Sequence, residues 1–288
     1  MVRYSESLEM LPATIGAKSI ERSFPGFWVP RPFPHAPVWA RLGTTFDLAH
    51  FMAVHPPVQL GKITGCGIPA SAGPRKYLRV HIKSAHSETV QIPEELQPIL
   101  PILVHALETF AAHHPDWVKS WAHVTWDADW VEPGQTHRVP GWHVDGMQGP
   151  RSAPHRSEAS VLWSDELPTE YCIQPFVMSH LDPARHNVHD ACVQQAREVN
   201  ACQGYPNGLY LIDPYVVHRA AIAQTRVWRN FVRVTVSDMA IEDPQNTVNL
   251  GLKGVQGGSP RLEVRDRLFA PPSQCPWEAM GWHPSNSA

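Results

Sequence analysis

Two short stretches of the chain carry residue types that hold metal ions. In "GWHVDG", His143 and Asp145 stand two positions apart. On an extended backbone alternate side chains share a face, so this imidazole and this carboxylate can point the same way. In "DPYVVHRA", His218 closes an apolar run that follows an Asp-Pro turn. Together the three would offer a divalent cation two nitrogens and one oxygen on one side, with positions left open on the other. A His-x-Asp pair alone is a weak signal in a chain with 17 histidines, and a polar turn between Gly141 and Gly146 is the plainer reading.

A third stretch shifts the balance. "RVWRNFVRVTVS" alternates as a strand does. Trp228, Asn230, Val232, Val234 and Val236 fall on one face. Val227, Arg229, Phe231, Arg233, Thr235 and Ser237 fall on the other. Two arginines flanking Phe231 in mid-strand are either a solvated edge, a pair matched to local acids, or a fork for a carboxylate ligand. A guanidinium fits a carboxylate through two parallel hydrogen bonds, and burying it alone is costly. Two imidazoles and one carboxylate with open positions are the donor set of non-haem Fe(II) oxygenases.

In this order, "GWHVDG", "VVHRA" and an arginine-bearing strand resemble the iron(II)- and 2-oxoglutarate-dependent dioxygenases, in their phytanoyl-CoA hydroxylase-like and taurine dioxygenase-like branches. The resemblance spans roughly Trp121 to Ser237. It implies that His143, Asp145 and His218 hold Fe(II). It implies that Arg229, eleven residues after His218, anchors the far carboxylate of 2-oxoglutarate, with Arg233 or the Thr235 hydroxyl assisting. Dioxygen would be the oxidant, and succinate and CO2 would leave. Related halogenases carry Gly or Ala in place of the metal carboxylate. Asp145 is retained, which favours hydroxylation, desaturation or ring closure over chlorination.

The elements that must position these residues follow from periodicity. "PEELQPILPILVHALETFAAHH" reads as a helix whose solid part begins near Pro98, with Leu96, Ile99, Leu103, Leu107 and Phe110 on one face. "YLRVHIKS" reads as a strand. From about Ser120 to Ile241, short β-branched and aromatic runs alternate with Pro/Gly loops. The segment 179–208 interrupts them, with a possible short helix in "DACVQQAREVNA". These features predict an α+β fold, a double-stranded β-helix (jelly roll, cupin-like) core with helical N-terminal support. One domain covers 1–288, divided into support (1–119), core (120–241) and an irregular tail (242–288). The Pro-rich "FPGFWVPRPFPHAPVW" reads as extended.

Bulk properties exclude other classes. A net charge of -3 gives no general affinity for nucleic acid or anionic membranes. No apolar run is long enough to span a bilayer, the N-terminus lacks a secretory pattern, and five cysteines without a CxxC pair suggest reduced thiols. The expectation is a cytoplasmic protein with a small-molecule substrate; oligomeric state is not legible. Trp126, Trp142 and Trp163 are candidates for pocket walls, though core packing is the plainer reading. His50, His55, His81, His113 and His114 read as surface or helix-end residues. His180, His186 and His189 read as part of a lid rather than a second metal cluster. Two rival readings share parts of the pattern. A cupin-like metal enzyme without 2-oxoglutarate leaves the two arginines unexplained, and a non-catalytic ligand-binding barrel leaves the intact triad unexplained.

Overall fold

The computed structural model describes residues 36–42, 44, 46–138, 140–145, 158–179, 181, 188–238, 240, 246–249 and 252. His180, His186 and most of the tail lie outside them. Among the described residues nine strands form two antiparallel sheets. The strands are β1 (Val58–Lys62), β2 (Arg75–Lys83), β3 (Trp121–Val131), β4 (Ala159–Ser164), β5 (Glu170–Cys172), β6 (Ala201–Gln203), β7 (Gly208–Ile212), β8 (His218–Arg219) and β9 (Val227–Ser237). The large sheet has the order β1-β7-β4-β9-β3-β2, and the small one β6-β5-β8. Three α-helices accompany them: α1 (Ala36–Arg41), α2 (Leu100–His113) and α3 (Val188–Gln195).

The alternation of β9 sorts the large sheet into two faces. Val232, Val234 and Val236 are fully buried in a core shared with α2. There they meet the helix stripe read from the sequence, since Leu96, Ile99, Leu103, Leu107 and Phe110 are all buried. Each such side chain contributes roughly 1.5–3 kcal/mol when fully withdrawn from water. Pro98 falls in a 3-10 turn, Glu94–Ile99, and the α-helix starts one residue later, with Pro101 in its first turn where a missing N–H is tolerated. Trp126 and Trp163 belong to this helix-side core. Their indole N–H groups donate to Asn230 Oδ1 and to the Ile63 carbonyl. They are packing residues and not pocket walls.

The opposite face of β9 carries Arg229, Phe231, Arg233 and Thr235. Directly opposite on β3 stand Asp129, Asp127, Thr125 and His123. On the other side Ser160 pairs with Thr235 and Leu162 with Arg233. Opposed residues in an antiparallel ladder share a face, so this one is lined by polar groups around a small apolar cluster. Leu162, Tyr171, Tyr210, Ile212, Val216 and Phe231 make up that cluster, and Tyr171 of β5 ties it to the small sheet.

Three local expectations are corrected. The last part of the Pro-rich segment is helical, as α1, with Pro37 near its start where proline is accepted. The helix expected within 190–201 begins earlier and stops at Gln195, whose side-chain amide clasps both backbone groups of Val177. The residues after it form β6, so the interrupting segment supplies a strand to the small sheet. His55, His81 and His114 are buried rather than superficial. No helix among the described residues is long and apolar enough to cross a membrane.

Buried imidazoles make the fold sensitive to acid. Burial pushes His105 and His114 down to about 4 and His123 to about 3. Below the ordinary histidine pKa near 6.5, the unfolded chain binds protons that the folded chain refuses, so stability falls as pH drops. Above that value these groups contribute no pH dependence. We expect these histidines to leave stability unchanged from pH 8 to 7 and to lower it below 6.5, by about 1–2 kcal/mol per histidine at pH 5. His105→Gln should remove one histidine's share of that slope. A urea midpoint at pH 5 equal to that at pH 7.5 contradicts the assignment.

Candidate metal centre

His143 and His218 are brought together by their backbones. His143 N–H donates to the His218 carbonyl and His218 N–H to the His143 carbonyl, both at 2.9 Å. This reciprocal pair is an isolated antiparallel bridge between the turn after β3 and the start of β8. His218 therefore opens a short strand rather than closing one. Gly141, at φ +79, supplies the left-handed residue the turn needs just before Trp142. The two imidazole rings lie 4.5 Å apart, centroid to centroid.

Each ring is held in the same way. His143 Nδ1 is 2.9 Å from the Gly141 carbonyl, and His218 Nδ1 is 2.9 Å from the Val216 carbonyl. A carbonyl can only accept, so both Nδ1 atoms carry the proton. In the neutral ring Nε2 then keeps a lone pair, the tautomer a metal requires. Burial, followed by the neighbouring His218, pushes His143 down to about 3, so it is neutral at physiological pH.

Asp145 completes the group. Its Oδ1 accepts from Arg233 Nη1 at 2.9 Å. Its Oδ2 lies 3.7 Å from His218 Nε2 and, among the described residues, is buried with no hydrogen-bond partner. Burial alone would raise this carboxyl's pKa. The Arg233 guanidinium and the two imidazoles outweigh that and hold it well below the usual carboxylate range. One ligand atom from each of the three residues lies within 4.8 Å of the others. Two neutral nitrogens and an orphaned carboxylate oxygen, converging from one side, fit a divalent cation with open positions opposite.

Neighbouring residues fix the two ligand segments. The Arg219 guanidinium lies 4.1 Å from the Trp142 ring centre. It also pairs with Glu170 and Glu198, each at 2.6 Å. The residues that follow one ligand and precede the other are thus stacked on each other. The Asp213 turn aims His218: its carboxylate accepts from Arg41 and from the Tyr215 N–H. Tyr215 is itself stacked on Phe46 at 5.1 Å. Trp142 is core and support, buried beneath Arg219. His189 of α3 comes within 5.7 Å of His143, ring to ring, so part of the segment read as a lid does border the centre.

The two arginines occupy different surroundings. Arg233 is bonded to the candidate metal carboxylate. Arg229 is 1% exposed; its Nε donates to the Glu166 carbonyl at 3.1 Å and its Nη1 to His137 Nδ1 at 3.2 Å. Burial, then the nearby Arg138, lowers its pKa to about 10, which leaves it a cation. No carboxylate among the described residues lies within ion-pair distance of it. Arg138 instead pairs with Asp127 at 3.3 Å. The guanidiniums of Arg229 and Arg138 lie 4.8 and 5.4 Å from the Phe231 ring centre. The Thr235 hydroxyl is 2.9 Å from that of Ser160 and is engaged there rather than beside Arg229. Asp127, His137 and Arg138 escaped sequence reasoning. Asp127 had a signal, since it alternates with Thr125 along β3; the other two sit in a loop without periodicity.

No family model matches the chain, and neither does any curated protein. Among solved structures it is similar to EvdO2 from Micromonospora carbonacea var. aurantiaca, with a TM-score of 0.34 and 16% identity over 53% of this chain and 66% of that one. EvdO2 in complex with 2-oxoglutarate gives a TM-score of 0.33 and 16% identity over the same 53% and 66%. AviO1 from Streptomyces viridochromogenes Tue57 gives a TM-score of 0.26 and 19% identity over 41% and 52%. The aligned region spans just under two thirds of EvdO2 and about half of AviO1. At this level of likeness neither activity nor substrate carries over, and the chemistry rests on the residues themselves.

The geometry makes a direct expectation about metal. The protein should bind one divalent ion per chain. His143→Ala and His218→Ala should each weaken that binding by more than the about 10- to 100-fold that changes around a metal's ligands cost. Both variants should keep the wild-type circular dichroism spectrum. Metal analysis after dialysis, with Co(II) absorption as a second readout, checks this. Unchanged stoichiometry in both variants means that the ion sits elsewhere.

Proposed function

We propose that this chain is an Fe(II)- and 2-oxoglutarate-dependent oxygenase acting on a small molecule. The observation that carries the reading is the gathering of one ligand atom each from His143, His218 and Asp145 within 4.8 Å of one another. Arg229, a buried cation with no carboxylate of the described residues within ion-pair distance, supports the 2-oxoglutarate part of it. The two antiparallel sheets are the halves from which a double-stranded β-helix would be built, with the centre between them.

In this reading Fe(II) is held by His143, Asp145 and His218. When bound with 2-oxoglutarate, it supplies oxidation of a substrate C–H bond by dioxygen, coupled to conversion of 2-oxoglutarate to succinate and CO2. The protein's own groups do the rest. The Gly141 and Val216 carbonyls keep the ligand nitrogens unprotonated. Arg233 holds Asp145 by one oxygen and leaves the other free to meet a metal ion. Arg229 receives the far carboxylate of 2-oxoglutarate, fixing which end meets the metal. Phe231 and Leu162 keep that region dry, which strengthens the pairing. Retention of Asp145 leaves no vacant ligand position for a halide, so hydroxylation, desaturation or cyclisation is the outcome proposed. The substrate class is a small molecule, and the compartment proposed is the cytoplasm.

A cupin-like enzyme without 2-oxoglutarate would need no buried unpaired guanidinium in this place, and that difference sets the test. With Fe(II), 2-oxoglutarate and oxygen, the wild type should release succinate, slowly even before its substrate is found. Arg229→Ala should raise the half-saturating 2-oxoglutarate concentration by about 30-fold or more, since truncating one side of a buried charge pair costs about 2–5 kcal/mol. Arg229→Lys should recover only part of this, because an ammonium lacks the fork. Arg233→Met should instead weaken metal binding, having released Asp145. If Arg229→Ala leaves 2-oxoglutarate binding intact while Arg233→Met abolishes it, the two roles are exchanged. Absence of succinate from metal-loaded wild type sinks the oxygenase reading.

A further inference from the structure

Arg229 is oriented by an imidazole rather than by an acid. Its Nη1 approaches His137 Nδ1 at 3.2 Å, and His137 Nε2 approaches Asp127 Oδ1 at 3.2 Å. A guanidinium can only donate, so His137 Nδ1 accepts and the proton of the neutral ring sits on Nε2, facing Asp127 at ion-pair distance without hydrogen-bond alignment. Asp127, His137 and Arg229 are 2%, 2% and 1% exposed, so water does not mediate between them. Asp127 comes from β3, Arg229 from β9, and His137 from the loop that leads to His143.

The residue type in the middle matters. A carboxylate at the place of His137 would hold Arg229 as firmly, but it would also cancel the charge and fill the donor fork. A neutral imidazole holds the orientation and leaves the charge in place. It also keeps Asp127 one ring away, where that carboxylate faces Arg138. Resting on the reading of Arg229 given above, we infer that His137 is a positioning residue: it sets the Arg229 guanidinium for the far carboxylate of 2-oxoglutarate without neutralising it. A histidine that merely fills the core would be ranked by volume and hydrogen bonding, and any polar replacement of similar size would serve.

Three variants separate these roles, read by calorimetric binding of 2-oxoglutarate to the Zn(II)-loaded full chain and by the split between KM and kcat. His137→Gln retains an acceptor for Arg229 and a donor for Asp127, and should bind within about threefold of wild type. His137→Leu removes the acceptor of Arg229 and the polar contact with Asp127 and should bind about tenfold more weakly, the worth of about one hydrogen bond. His137→Glu places an anion on the guanidinium and should bind worst, by about 100-fold or more, although it is polar and close in size to Gln. In all three, kcat at saturating 2-oxoglutarate should stay within about threefold of wild type, since no variant touches the reacting atoms. Thermal unfolding reports whether each has folded; if His137→Leu has not, the Gln and Glu pair decides alone. Equal binding by the Gln and Glu variants, or a loss confined to kcat, overturns the inference. If wild type binds 2-oxoglutarate and all three variants match it, only the role of His137 fails. If wild type binds none, the proposed function fails and this inference goes with it.

Discussion

The reciprocal backbone bonds between His143 and His218 are the contact on which the rest of the centre depends. They join two loops distant in sequence into one pair of residues, with both side chains on the same side. Once that pair exists, the alternation of an extended chain puts Asp145 on the same side, two residues on. Backbone bonds suit this task because they do not compete with the ligand atoms. Each imidazole still has both ring nitrogens to dispose of, one to a carbonyl two residues back and one to the metal position. The Arg219–Trp142 stack, the Glu170 and Glu198 pairs and the Asp213 turn all brace the same junction from outside.

The large sheet serves both a core and a site because β9 is read in two registers. One face is valine against α2, and it stabilises. The other is arginine, phenylalanine and threonine, and it faces the candidate centre. Neither face could exchange roles with the other by a one-residue slip, since that would bury Arg229 and Arg233 against α2 without partners. The full-length pairing of β3 with β9, from Trp121 with Ser237 to Val131 with Val227, fixes that register. The pairing also places Asp127 opposite Phe231, and so within reach of His137 and Arg138.

Much of this was legible in the chain. The β9 pattern, the apolar stripe on α2 and the His143–Asp145 spacing are periodic signals, and periodicity survives translation into structure. His218 was legible from its setting after an Asp-Pro turn, although its strand runs forward from it rather than back. What escaped reading depends on loops and on partners remote in sequence. His137 and Arg138 have no periodic neighbours, and only the closing of the loop onto β3 and β9 gives them a carboxylate and a guanidinium to meet. Likewise, Trp126 and Trp163 share a residue type with pocket walls, but only the strand register decides which face they take. The buried His81 and His114 were misread because a histidine near a strand or helix end says nothing of what packs over it.

The charges on the inner face divide into two groups with different needs. Around the metal position, Arg233 and Asp145 cancel, so a divalent ion there would remain largely uncompensated by protein. Around Phe231, two guanidiniums, Arg138 and Arg229, face one carboxylate, Asp127, because His137 is neutral. With a divalent ion bound, both groups would carry excess positive charge in surroundings where screening by water is weak. Two separate monoanions would each have to be desolvated and ordered. One molecule with a carboxylate at either end meets both with a single loss of translational freedom, and the second carboxylate then binds as an intramolecular partner. The same arithmetic explains why an acid beside Arg229 would be harmful. It would remove the excess to which the proposed cosubstrate's remote carboxylate would bind.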